Sequence, residues 1–335
     1  MQPVISIVIP IYNEAGILPE LLRRLHAVIT AHTQYEWQVI MVNDGSADQS
    51  EALLREAIET HPWLTVLHLS RNFGHQKAIS AGMDYATGNA VIVMDGDLQD
   101  PPEVIPELIT KWQSGFEVIY ATRETRVGET PFKLITASLF YRLLQKLSDV
   151  YIPLDTGDFR LMDRKVLNAL VSMRERNRFI LGMVSWIGFR QTALFYQRAE
   201  RPGGKSKYTL NRMLRFAIDG LLSFSTVPLQ LISTLGYIIS LASFLTIAVV
   251  ILIRVLTPWH VQEGWASLMA VLLLLGGIQL VAIGVIGEYL GRIYDEVRQR
   301  PLYLIRRIDG RLNGQFDTES RQSPASQELA LYIKR

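Results

Sequence analysis

Val91-Ile92-Val93-Met94-Asp95-Gly96-Asp97-Leu98-Gln99-Asp100 is the stretch on which the fold of this chain turns. A β-branched apolar run ends abruptly in two aspartates one residue apart. Such a run reads as a buried strand, with the acids where its carboxyl end meets solvent. Gly96 between them is expected to permit a tight turn. Two carboxylates held this close repel each other unless a cation lies between them. Hard oxygen ligands suit Mg²⁺ or Mn²⁺, and Mg²⁺ commonly takes one or two carboxylates together with substrate phosphates. The first expectation is an Asp-x-Asp metal site that holds a diphosphate. A plain polar turn would carry the same residues, so the flanking sequence has to decide.

Upstream, apolar runs alternate with helical patterns. Val4 to Ile9, Trp37 to Val42, Thr65 to Leu69 and Ala90 to Met94 read as strands, followed by Glu117 to Ala121. Between them, residues 16–31, 47–60, 76–87 and 102–114 read as helices; Leu18, Leu21, Leu22, Leu25 and Ile29 recur at helical spacing in the first. Strict alternation with apolar strands predicts a mostly parallel sheet with helices on both faces. In such sheets ligands bind outside the carboxyl ends of the strands. Those ends carry Glu14, Asp44, Arg71 and the pair Asp95 and Asp97. No Gly-x-Gly-x-x-Gly follows the first strand, so a dinucleotide site is disfavoured. Gly203-Gly204-Lys205-Ser206 looks like the tail of a phosphate loop, but Ala199 stands where its first glycine is needed.

The 335 residues carry a net charge of +2, and no basic run sits on a nucleic-acid module, so no nucleic-acid partner is expected. The absence of cysteine excludes disulfides and thiolate metal sites. The first residues, Met1-Gln2-Pro3-Val4, lack the pattern of a signal peptide, which predicts a cytoplasmic first domain.

Three motifs in order, Pro10-Ile11-Tyr12-Asn13-Glu14, Asn43-Asp44-Gly45-Ser46 and Asp95-Gly96-Asp97, make the chain resemble glycosyltransferase family 2. Ser70-Arg71-Asn72-Phe73-Gly74-His75-Gln76-Lys77, Asp97-Leu98-Gln99-Asp100-Pro101-Pro102 and Asp158-Phe159-Arg160-Leu161 resemble, more narrowly, its polyisoprenyl-phosphate glycosyltransferases. Among these the chain resembles especially the bactoprenol glucosyltransferases, and it looks related to dolichyl-phosphate mannose synthase. The resemblance runs over roughly residues 4–310. It implies an α/β fold, a GT-A nucleotide-sugar domain with a mostly parallel doubly wound sheet. It also implies roles. Pro10, Tyr12 and Glu14 line the nucleoside pocket, and Asp44 meets a uracil-type base edge. Arg71, Lys77 and Gln99 lie near the nucleotide and its phosphates, although Lys77 also reads as a surface lysine. Asp95 faces the nucleotide side, and Asp97 with Asp95 holds the metal. The resemblance makes Asp158 the acceptor-side base, with Asp155 as rival acid. A lipid phosphate has a second pKa near 6 and can arrive ionised, so Asp158 could position the acceptor instead. Arg160 is the candidate for the lipid phosphate.

Residues 131–147 carry Leu139, Phe140, Leu143, Leu144 and Leu147 at helical spacing beside Lys133, Arg142 and Lys146. They predict an interfacial helix, with an ordinary sheet-packing helix as the alternative. Arg201-Pro202-Gly203-Gly204-Lys205-Ser206-Lys207-Tyr208 reads as a basic flap over phosphates, with Arg201 and Lys205 as diphosphate contacts. A second amphipathic helix follows over residues 209–225.

Gly220 to Ile253 and Gly264 to Gly287 contain no charged residue. Each exceeds the roughly 20 residues that cross a bilayer, which predicts spans of about 231–256 and 265–289. Trp259 and Trp265 mark the connection as an interface, and arginines flank only the outer ends, so both termini are expected in the cytoplasm. Arg254 would snorkel outward. Gly276, Gly277, Gly284, Gly287 and Gly291 would permit close helix packing, which with the resemblance predicts a homo-oligomer. The expected organisation is a catalytic domain over residues 1–226, a membrane hairpin over 227–291 and a C-terminal tail over 292–335. The expected activity is inverting transfer of a hexose, foremost glucose from UDP-glucose, to undecaprenyl phosphate at the inner face of the cell membrane. GDP-mannose or a UDP-4-amino-arabinose derivative are alternative donors. A processive polysaccharide synthase is disfavoured because no Gln-x-x-Arg-Trp motif is found. A non-catalytic scaffold is the remaining rival, but Asp44, Asp95, Asp97 and Asp158 all stand.

Overall fold

The computed structural model describes residues 2–123, 156–197, 227–256 and 264–311. The predicted helices over 131–147 and 209–225, the basic loop with Arg201 and Lys205, Asp155, Trp259 and the tail beyond residue 314 lie outside them.

The first half alternates as the apolar pattern requires. β1 (Val4–Ile11), α1 (Leu18–Ala31), β2 (Glu36–Asn43), α2 (Ser50–Thr60), β3 (Leu64–Leu69), α3 (His75–Tyr85) and β4 (Ala90–Val93) follow one another. A 3₁₀ turn (Pro102–Val104) leads into α4 (Ile105–Gln113) and β5 (Val118–Arg123). β6 (Thr156–Asp163), α5 (Arg164–Ser172), α6 (Ile180–Ile187) and β7 (Gln191–Tyr196) complete this part. Two long helices, α7 (Val227–Leu256) and α8 (Trp265–Val297), precede a last strand, β8 (Ile305–Gly310).

One eight-stranded sheet has the order β7-β5-β6-β4-β1-β2-β3-β8. β2, β1 and β4 pair in parallel, as do β2 with β3 and β5 with β7, while β6 and β8 run antiparallel to their neighbours. Both faces are covered. Leu18, Leu21 and Leu25 of α1, Leu54 of α2 and Leu108 of α4 form one core with Ile5, Ile7 and Ile9. Ile79 and Met83 of α3, Leu167 of α5 and Met183 of α6 form the other with Val8, Ile40 and Val93. Strands buried on both sides need apolar residues at every position, not every second one. Phe159 of β6, 1% exposed, meets the Tyr196 ring edge-on at 5.8 Å. Burying a side chain of this size contributes about 1.5–3 kcal/mol. Asp163 ends β6 and caps α5, its Oδ1 accepting from the Lys165 amide at 3.0 Å.

Two predicted features differ. Residues 305–310, placed in a tail, form β8 on the open edge of β3. Arg306 and Arg307 bind Glu51 at 2.6 and 3.2 Å, and the fully buried His68 lies 3.2 Å from Asp309. The second long helix also continues through Glu288, Arg292 and Glu296 to Val297 rather than stopping near residue 289. Helical hydrogen bonding does not end where the apolar run ends. Val227–Thr246 and Val271–Val297 have mean hydropathies of 1.6 and 2.1, and neither is covered by other described residues. A core hairpin would be buried; these two helices are long and apolar enough to cross a membrane. A Cβ added at Gly276, Gly277, Gly284, Gly287 or Gly291 would meet nothing within 4 Å, so these glycines serve no close packing within the described residues.

Candidate active site

The strand order reverses around β1, with β2 on one side and β4 on the other. Ligands of open α/β sheets bind at the carboxyl ends beside such a reversal, and the three motifs converge there. Tyr12 follows β1 and is 46% exposed. Pro10 itself is buried inside β1, paired with Val42. Asn13 binds across to the next loop: its amide donates to Ser46 Oγ at 3.1 Å and its Oδ1 accepts from the Ala47 amide at 2.8 Å. The Glu14 amide likewise donates to Ser50 Oγ at 3.1 Å. Asn13 has φ 54 and Leu98 has φ 60, both in the left-handed region that costs a non-glycine residue about 1–3 kcal/mol. The chain turns at Gly96 and Asp97, as expected. Leu98, not Gly96, carries the left-handed backbone. Gly96 is needed for space, because a Cβ there would lie 2.7 Å from Ile11 Cδ1 and 3.1 Å from the Pro10 carbonyl.

Asp44 is 3% exposed, and its oxygens accept from the Phe73 and Gly74 amides at 2.7 and 3.0 Å. Its place here is to hold the loop that precedes α3, and a base edge would have to share that carboxylate. Burial pushes its pKa up; the two amides and the charges of His75 and Arg71 pull it down, and burial prevails. Arg71 stands over the Phe73 ring at 4.5 Å, exposed on the same loop. Gly45 lies beneath this loop with φ +67, and a Cβ would sit 2.6 Å from the Arg71 carbonyl carbon. Gly45→Ala should therefore destabilise the protein by about 1–3 kcal/mol and displace the loop. Thermal unfolding in detergent reads this; a wild-type midpoint would show that the loop yields without cost.

The charged centre is His75, Asp95 and Asp158, whose ligand atoms all lie within 4.8 Å of one another. His75 Nε2 is 2.9 Å from Asp158 Oδ2 and 3.4 Å from Asp95 Oδ1. Asp158 Oδ2 also accepts from Gln76 Nε2 at 2.9 Å. Asp95 Oδ1 is buried and has no hydrogen-bond partner among the described residues. Partial burial works against charge on His75, but the hydrogen bond to Asp158 and the fields of Asp95, Asp158 and Asp44 raise its pKa to about 9. Burial pushes the Asp95 carboxyl up to about 7; His75 pulls against the shift, while Asp100, Asp158 and Asp97 reinforce it. Burial would also raise Asp158, but the bond and charge of His75, the charge of Arg160 and the Gln76 amide hold it below the usual range. An imidazolium thus faces two carboxylates. One buried oxygen is unsatisfied, and the oxygens suit a hard divalent ion.

Other predicted site residues border this group. Asp97 is outside this group of three, and its Oδ1 accepts from the Gln99 amide at 3.1 Å. Arg160, the candidate for lipid phosphate, is 1% exposed; it donates to the Gly157 carbonyl at 2.8 Å and lies 3.9 Å from Asp158. It supports Asp158 from beneath and does not reach the open face, because β6 turns it into the sheet. Lys77 is half-buried in the first turn of α3. His75 and Gln76 were not singled out from sequence. Their signal was there: two polar side chains opening a helix at a strand's carboxyl end.

The family model for glycosyl transferase family 2 matches residues 6–171. An uncharacterized glycosyltransferase, YkcC, of Bacillus subtilis is 50% identical over 305 residues, which cover 91% of this chain and 94% of the relative. A prophage bactoprenol glucosyl transferase homolog of Escherichia coli is 40% identical over 304 residues, covering 91% and 99%. The prophage-derived bactoprenol glucosyl transferase of Shigella flexneri is 41% identical over 303 residues, covering 90% and 97%.

Proposed function

The chain belongs to glycosyltransferase family 2, and from that premise we propose that it moves a hexose, foremost glucose from UDP-glucose, to undecaprenyl phosphate at a membrane surface. The observation that carries this is the His75, Asp95 and Asp158 group at the strand-order reversal, on a chain that also holds two long apolar helices. The names of the bactoprenol relatives support the lipid acceptor. Both termini in the cytoplasm and association of like chains through α8 remain part of this reading.

Tyr12, Glu14, Asp44 and Arg71 hold the nucleoside and its phosphates. Arg201 and Lys205 are the further contacts assigned to the diphosphate. Asp97 and Asp95 are the residues assigned to a divalent ion, with His75 facing Asp95 at 3.4 Å. When bound, Mg²⁺ or Mn²⁺ would offset charge on the departing diphosphate. The acceptor phosphate oxygen attacks the anomeric carbon from the side of Asp158 as the bond from that carbon to the diphosphate breaks, and UDP leaves with the electron pair. The attack inverts the anomeric carbon. Asp158 either takes the acceptor's last proton or, for an ionised phosphate, orients it through its own hydrogen-bonded neighbours.

The test uses the purified chain in detergent with undecaprenyl phosphate and a panel of UDP- and GDP-sugars. Lipid-phosphate sugar is followed by mass. Product from UDP-glucose is expected. Product from GDP-mannose or an amino-arabinose donor would replace the sugar and keep the acceptor. Polymer, or no lipid product from any donor, would sink the reading.

A further inference from the structure

Gln76 has two occupied ends. Its Nε2 donates to Asp158 Oδ2 at 2.9 Å, and its Oε1 accepts from the Ile180 amide at 3.0 Å. Ile180 is the first residue of α6, whose own N-terminal flank supplies no side-chain cap. The first amides of a helix lack intrahelical acceptors, so a side chain from α3 caps α6 while it orients an acid on β6. Gln is suited to this. It offers a donor and an acceptor on one rigid amide, without charge. Glu could accept from Ile180 but would set a second carboxylate against Asp158. Asn is one methylene too short to span both contacts.

The segment before α6 is anchored in turn. The Arg176 amide donates to Glu296 Oε1, near the end of α8, at 2.5 Å. Arg178, 8% exposed, donates to the Met173 and Leu170 carbonyls at 2.8 and 3.2 Å. At the far end of α3, Asp84 accepts from Arg174 and from Tyr303, just beyond α8, both at 2.7 Å. Contacts thus run from the site acid, through Gln76 and the loop between α5 and α6, to the end of the second long apolar helix.

We propose that Gln76 is a positioning residue that fixes Asp158 for the acceptor by tying it to the α6 segment. The inference rests on the transfer reaction above. It is tested in the full chain with Gln76→Met, which keeps length and removes both hydrogen bonds, and Gln76→Glu, which keeps the Ile180 contact. Both should lose kcat by about 10- to 100-fold, the scale of a small misplacement of a reacting group, with the donor KM unchanged. Wild-type kcat in either variant, even with a lowered midpoint, overturns the positioning role alone. Wild-type protein that makes no lipid-linked sugar overturns the transfer reading and this inference together.

Discussion

Asp158→Asn should lower kcat by about 10²–10⁴-fold, the range set by a positioned proton acceptor, while the protein stays folded. The substitution is nearly isosteric. It removes the negative charge that faces the His75 imidazolium at 2.9 Å and the Arg160 guanidinium at 3.9 Å. His75 would still find Asp95 at 3.4 Å, so the local fold has a second partner. Arg160 keeps the Gly157 carbonyl at 2.8 Å. The expected result is loss of turnover with the thermal midpoint near that of wild type. A variant that retains a tenth or more of wild-type kcat would remove Asp158 from the chemistry, since even the low end of that range exceeds tenfold. The outcome also separates two roles. If the acceptor phosphate arrives ionised, the defect should fall mainly on the KM for lipid; if Asp158 takes a proton, it should fall mainly on kcat.

The second large effect is expected on removing the metal or its first ligand. EDTA should abolish transfer, and Asp95→Asn should lower it by about 10²–10³-fold, comparable to losing one electrostatic contact to a transition state. Binding of Mn²⁺ in the presence of UDP, read by calorimetry, should disappear in Asp95→Asn. The physical basis is the Asp95 Oδ1 atom, buried and unsatisfied. His75 Nε2 faces it at 3.4 Å without a hydrogen bond; an unsatisfied buried acceptor costs about 1–3 kcal/mol, which a cation can recover. Burial already pushes this carboxyl up to about 7, and His75 opposes the shift. Metal binding would release whatever proton it holds. Full activity in EDTA would assign the offset of diphosphate charge to His75 and the basic residues instead.

The parallel part of the fold was readable because burial on both faces forces long apolar runs such as Val4 to Ile9. Helix α1 was readable because Leu18, Leu21, Leu22 and Leu25 share one buried face. β8 was not readable. Ile305-Arg306-Arg307-Ile308-Asp309-Gly310 is a half-exposed edge with charges on both sides, and its pairing is set by Glu51 and His68, far away in sequence. The site divides the same way. Asp44, Asp95 and Asp158 lie at strand positions that motifs mark. His75 and Gln76 gain meaning only when α3 brings them against an acid more than 80 residues away. The burial of Arg160 was not readable, because a strand covered on both faces hides even its polar positions.

β8 also fixes an order of events. Its partner β3 is made early, yet Thr65 Oγ1 waits for the Arg311 carbonyl, 246 residues later. Chains are synthesised from the N-terminus, and N-terminal parts fold first. Both long apolar helices must therefore leave the ribosome before the sheet can be completed. Until then β3 presents a row of unpaired backbone groups, the kind of edge that templates aggregation. A chain cut short within or just after the hairpin would carry every strand of the parallel core and still have a sticky side. Such a truncation should fail through self-association rather than through any defect in the catalytic residues.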